Sequence, residues 1–142
     1  MNETIVKFGY PDTLIREYEH WVVLLRPAQA TLGALILACK DEAKRYSEIT
    51  PEAFSEMGRV IVDTERALGS LFDYRKLNYL MLMMVDPDVH YHVLPRYDLD
   101  QTYAEATFSD PGWPGPPNIG HANSIPDAVK ARLLSDLKAA FG

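Results

Sequence analysis

The spacing of apolar and polar positions changes several times along the chain, and each change predicts an element. Residues 14–18 and 20–25 are short runs rich in Leu, Ile, Val, Tyr and Trp and read as strands, followed by the turn Arg26-Pro27-Ala28-Gln29. Residues 33–39 (GALILAC) are apolar throughout, bounded by Gly33 and by the charged stretch that starts at Lys40. An unbroken run of that length predicts a strand buried on both faces. The period then lengthens. Thr50-Pro51 is a helix start, with Thr as cap and Pro in the first turn. Phe54, Met57, Ile61, Leu68 and Leu71 recur at helical spacing, which predicts an amphipathic helix from Pro51 to about Phe72. Residues 77–84 (LNYLMLMM) return to a strand pattern, and Val85-Asp86-Pro87 makes a turn into a further strand. From Tyr97 to Gly120 no period holds. The tract SDPGWPGPPNIG is too rich in Pro and Gly for regular structure, and Trp113 within it favours an ordered, packed tail over a free linker. Ser124 is expected to cap a last helix over residues 126–141, striped by Val129, Leu133, Leu137 and Phe141.

The inventory is about five strands, one long central helix and a C-terminal helix. Strands that follow one another through tight turns pair antiparallel, so the expected class is α+β, as a single domain over residues 1–142. A chain of 142 residues, 47% of them apolar and 24% charged, is ordinary for a globular domain of that size. The formal net charge of −6 argues against binding nucleic-acid backbones. The one cysteine, Cys39, excludes an intrachain disulfide and fits a reducing, cytoplasmic setting. No apolar run approaches the ~20 residues of a membrane span, and the first residues lack the character of a signal peptide.

Candidate chemistry is concentrated in DPDVHYHVLPRY, from Asp86 to Tyr97. On a strand, successive side chains point to opposite faces, so Asp88, His90, His92 and Leu94 share one face and Val89, Tyr91 and Val93 share the other. Two imidazoles and a carboxylate in a row suit a nucleophile held against a phosphate, or ligands held against a metal. A Zn²⁺ site from Asp88, His90 and His92 is the less favourable reading, because residues at i, i+2 and i+4 converge poorly on one ion.

This segment resembles the signature of the histidine triad (HIT) family, His-φ-His-φ-His-φ-φ with φ apolar, often followed by Pro-Arg. Here it reads Asp88-Val89-His90-Tyr91-His92-Val93-Leu94-Pro95-Arg96. The second and third histidines match, all the apolar positions match, and Asp88 stands at the first. Leu32-Gly33-Ala34-Leu35-Ile36-Leu37 is similar to another strand of the family, with Ala34 where a histidine often follows the glycine. The turn at Val85-Asp86-Pro87 is shorter than the Gly-rich loop of many members. The resemblance covers roughly residues 18–97. It implies a five-stranded antiparallel sheet with a helix on it and a homodimer.

The resemblance also implies a nucleotide hydrolase or nucleotidyl transferase. Its substrates would be dinucleoside polyphosphates or nucleoside phosphoramidates, cleaved at the α-phosphorus. His90 takes the place of the nucleophile and His92 that of the residue against the α-phosphate. No cofactor is required, and Mg²⁺ would enter only with a polyphosphate substrate. Arg96 reads either as a phosphate contact or as a surface residue at the strand end. Arg26 lies near the family's ribose-binding position, and Tyr10 and Phe8 are candidates to flank a base. Asp88 is open to three readings: a protonated donor, a salt link that points away from the phosphate, or a mark of lost activity. The last would make the chain a nucleotide-binding module without turnover. His20 reads as structural or exposed, and His121 as a residue the tail could fold over the site.

Overall fold

The computed structural model describes all 142 residues, Met1–Gly142. Five strands, β1 (Leu14–Glu17), β2 (Trp21–Leu25), β3 (Leu35–Cys39), β4 (Lys76–Leu80) and β5 (His90–Arg96), form one antiparallel sheet in the order β1-β2-β3-β5-β4. β5 therefore runs through the interior of the sheet, with Ala38 opposite His90 and Ile36 opposite His92 on β3.

Alternation along β3 divides the interior into two cores. Leu35, Leu37 and Cys39 face the main core beneath the helices α2 (Pro51–Leu71) and α3 (Asp127–Phe141). Ile36 and Ala38 face a smaller core with Val22, Leu24 and Ile5. Both faces of the strand are covered, which is why every residue of β3 is buried and apolar. The cover on the second face is a five-residue helix, α1 (Glu3–Lys7), capped by Asn2, whose side chain accepts from the Ile5 amide at 3.0 Å. One helical turn is too short to show a period, so the sequence pattern alone did not predict α1.

α2 begins as expected, with Thr50 Oγ1 accepting from the Ala53 amide at 3.1 Å and Pro51 at the first helical position. Its buried stripe is rotated from the expected one. Ala53, Val60, Thr64, Ala67 and Leu68 are buried against the sheet and α3, whereas Phe54 lies at the rim, 39% exposed, against the Tyr46 ring. Small residues let the helix approach closely, and Trp21 Nε1 donates to the Ala53 carbonyl at 2.8 Å across that interface.

Two expected boundaries move, and a hairpin is added. β4 ends at Leu80 rather than residue 84, and Met83, at φ 53°, turns the chain outward. α3 starts at Asp127 behind Pro126, and Ser124 makes no capping bond because it lies two residues before the cap. The irregular tail also contains a short hairpin, β6 (Gln101–Tyr103) with β7 (Ala106–Phe108), turned by Ala104 and Glu105 at positive φ. Without Asn or Gly at those two positions the usual hairpin signal is absent. The rest of the tail is packed as expected. Asn123 donates to the carbonyls of Gln29 (2.9 Å) and Ser109 (3.1 Å), tying it to the loop before β3. No helix is long and apolar enough to cross a membrane.

Candidate active site

His90 and His92 project from β5 onto the face of the smaller core, with ring centroids 5.2 Å apart. Both are almost wholly buried, at 2% and 7% exposure. His90 Nδ1 lies 2.7 Å from the Asp88 carbonyl oxygen. A carbonyl can only accept, so Nδ1 carries the proton and Nε2 keeps its lone pair. That is the tautomer a nucleophilic imidazole requires. His92 differs. Its Nδ1 is buried with no partner, which leaves Nε2 as the nitrogen that can meet a ligand. Burial, reinforced by the nearby charge of Arg26 and by His90, pushes the His92 pKa down to about 4 against a weaker opposing pull from Asp86. The ring is therefore neutral at pH 7.

The two rings border a cavity of about 300 Å³, completed by Phe8, Arg26, Ile119 and the loop 82–86. That volume is at the low end for a small-molecule site. The Phe8 ring stands 5.6 Å from the His90 ring and edge-on to His92 at 6.0 Å. Arg26 donates from Nη1 to the Ala28 carbonyl (2.7 Å) and from Nη2 to the Ile119 carbonyl (3.1 Å), so it also ties the tail into the cavity wall. Its Nε is buried without a partner, and burial holds its pKa below the usual guanidinium value. At the rim, Lys7 Nζ pairs with Asp86 at 2.5 Å. Met84 and Val85 are 84% and 80% exposed there. A larger depression, about 550 Å³, lies around His20, but it is lined by Glu19, Asp41, Glu42, Glu48 and Glu52, a wall that repels anions.

No family model matches the sequence, and no curated protein matches it. Solved structures do. A histidine triad (HIT) protein from Sinorhizobium meliloti 1021 superposes with a TM-score of 0.76 at 20% identity, over 99% of this chain and 95% of that one. A histidine triad protein from Bradyrhizobium japonicum gives 0.76 at 18% identity, over 100% and 97%. A hypothetical histidine triad nucleotide-binding protein from Sulfolobus tokodaii strain 7 gives 0.69 at 15%, over 97% and 89%. The fold is that of the histidine triad proteins.

Within the histidine triad fold, three of the expected site residues take other parts. Asp88 does not enter the cavity. It is fully buried, with Oδ1 accepting from Lys44 Nζ at 2.6 Å and Oδ2 from the Thr4 hydroxyl at 2.9 Å. Burial alone raises its pKa, but Lys44 and the Thr4 hydroxyl and amide outweigh that and hold it below the usual carboxylate range. Asp88 is thus ionised and faces away from any phosphate, which excludes a protonated donor. Arg96 is 3% exposed and is held by both oxygens of Asp110 (2.7 and 3.1 Å), by Asn78 Oδ1 and by the Gly115 carbonyl. With its donors engaged by β4 and the tail, it anchors structure rather than phosphate. Tyr10 packs on the smaller core and donates to Glu17 at 2.9 Å, outside the cavity.

Phe8 and Arg26 do border the site, with His90 and His92. The row Asp88, His90, His92 has no common point for an ion, since the carboxylate is turned to Lys44, and no group of three or more metal-binding side chains is arranged to hold a metal. His20 lies at the acidic depression, and His121 sits in the tail 3.4 Å from Ser109 Oγ. Pattern reading missed Lys7, Ile119 and the rim residues 82–85. They come from the two elements with no period, the first turn and the tail, and from a run read as strand with the turn that follows it.

Proposed function

We propose that the chain is a nucleotide hydrolase or nucleotidyl transferase acting at the α-phosphate of a dinucleoside polyphosphate or nucleoside phosphoramidate, with His90 as nucleophile. The observation that carries the reading is the 2.7 Å bond from His90 Nδ1–H to the Asp88 carbonyl, which leaves Nε2 unprotonated beside His92 in the cavity.

His90 Nε2 gives its lone pair to the α-phosphorus, and the bond from phosphorus to the leaving oxygen or nitrogen breaks with its electron pair, a leaving nitrogen taking up a proton from solvent. The product is a nucleotidyl group on a cationic imidazolium. Water then attacks the same phosphorus, the P–N bond breaks and His90 returns to its neutral form. The water proton goes to solvent. His92 donates a hydrogen bond to an α-phosphate oxygen and offsets the charge that develops there, and the Arg26 guanidinium adds fixed positive charge behind it. Phe8 and Ile119 supply the apolar walls for base or ribose. A polyphosphate substrate brings its own Mg²⁺. The exposed edge of β4 offers a surface for pairing with a second copy, in keeping with a homodimer.

A specific observation keeps a second reading. Asp86 places a carboxylate at the cavity rim, and nothing on β5 replaces the first histidine of the triad. A module that binds AMP without turning substrate over fits those two features. Hydrolysis of adenosine phosphoramidate and of diadenosine tri- and tetraphosphate by wild type and His90→Ala separates the readings. The enzyme reading expects AMP release by wild type alone. AMP bound in calorimetry with no turnover establishes the binding module.

A further inference from the structure

The carboxylate of Asp88 is spent entirely on the N-terminal segment and Lys44. Three hydrogen bonds, two to the carboxylate and one from the backbone amide, join Asp88 to Thr4, 84 residues away. Oδ2 accepts from the Thr4 hydroxyl (2.9 Å) and amide (3.3 Å), and the Asp88 amide donates back to the hydroxyl (3.0 Å). Oδ1 takes Lys44 Nζ. Thr4 is 1% exposed and Asp88 fully buried, so water does not compete for these bonds. The connection continues along α1, where the Phe8 amide donates to the Thr4 carbonyl at 3.1 Å, and Phe8 is the aromatic wall of the cavity.

We propose that Asp88 is a positioning residue: its carboxylate clasps α1 through Thr4 and thereby sets Phe8 against His90 and His92, while its carbonyl sets the His90 ring. One residue fixes both the nucleophile and the wall opposite it. A carboxylate suits this position where an imidazole does not. It accepts from the Thr4 hydroxyl, the Thr4 amide and Lys44 at once, whereas a neutral imidazole has one acceptor nitrogen. The effect on substrate rests on the nucleotide reading above; the clasp itself does not.

The test uses full-length Asp88→Ala, Asp88→His, Thr4→Val and Phe8→Ala, with two readouts. The first is amide hydrogen exchange. All three clasp variants are expected to speed exchange at residues 5–8 by about tenfold or more while the β3 and β5 amides keep their protection. The second is AMP affinity by calorimetry with KM and kcat. Asp88→Ala is expected to weaken AMP and raise KM by about tenfold with kcat little changed, and Phe8→Ala added to it to cause no further loss, because the two act on one wall. A merely structural Asp88 would give additive losses. Unchanged exchange at residues 5–8 in Thr4→Val, or additive effects of Asp88→Ala and Phe8→Ala, overturns the proposal. Thr4→Val removes only the hydroxyl at constant shape, so it decides the matter if Asp88→Ala does not fold. If wild type binds no AMP, the nucleotide reading fails and the exchange result alone decides the clasp.

Discussion

His90 Nδ1 and the Asp88 carbonyl oxygen are 2.7 Å apart, two residues along the same strand entry. The proposed nucleophile is therefore oriented by backbone, and its tautomer does not depend on any side chain that could swing away. His90→Ala is expected to abolish AMP release outright. His92→Ala, which keeps the nucleophile but removes a phosphate donor, is expected to lower kcat by about 10²-fold. Equal losses from the two changes would contradict the division of roles.

The depressed pKa of His92 is also a statement about stability. Folded His92 titrates at about 4, while an unfolded histidine titrates near 6.5. Between those values the unfolded chain binds more protons, so stability rises with pH. It is full above about 6.5, is lost as pH falls toward about 4, and the loss is complete below that. At about 1.4 kcal/mol per unit, the whole effect is at most about 3.5 kcal/mol. Urea unfolding at pH 4.5 and 7.0 measures it, and His92→Gln is expected to flatten the difference. Asp88, whose pKa is also lowered on folding, acts with the same sign but at lower pH, as the medium falls through the carboxylate range.

Arg26 holds the Ala28 and Ile119 carbonyls with its two Nη atoms, and its Nε is buried without a partner. Its planar fork does both at once, which a lysine cannot. Arg26→Lys is expected to weaken AMP binding nearly as much as Arg26→Met, by about tenfold or more, since a donor to a charged phosphate is worth roughly 1.5–3 kcal/mol. Calorimetry on both variants checks this. Recovery in the lysine variant would reduce Arg26 to a point charge.

Arg96 and Asp110 are both buried, with side-chain exposures of 4% and 1%. Removing Arg96 strands a carboxylate in the interior at a cost of about 3–5 kcal/mol. Arg96→Met is expected to lower the urea midpoint sharply, and Arg96→Met with Asp110→Asn to recover part of the loss. A drop in AMP affinity at unchanged stability would return Arg96 to the substrate.

The sheet, the long helix and the shared face of the two histidines were legible because each rests on a periodic run of residues; that this face is buried as well was not. GALILAC announced a strand covered on both sides, and the alternation in VHYHVL placed His90 and His92 together. The cover itself was not legible. α1 is one turn long, and its register against β5 is set by Thr4 and Asp88, 84 residues apart, a contact no local pattern encodes. Arg96 was placed on the expected face, but Asp110, fourteen residues on in an aperiodic tail, decides what it touches. Phe8 and Arg26 were legible as candidates. Tyr10 was not separable from Phe8 in sequence, because two residues across a turn can face either side.

The central claim is a covalent nucleotidyl group on His90 Nε2. The most direct measurement is rapid acid-free quenching of wild type mixed with adenosine phosphoramidate or diadenosine tetraphosphate, followed by peptide mass spectrometry. The account predicts an adenylyl adduct on the peptide that carries His90, absent from His90→Ala and discharged on standing in water. Turnover with no adduct on that peptide, or an adduct that survives in His90→Ala, would contradict it.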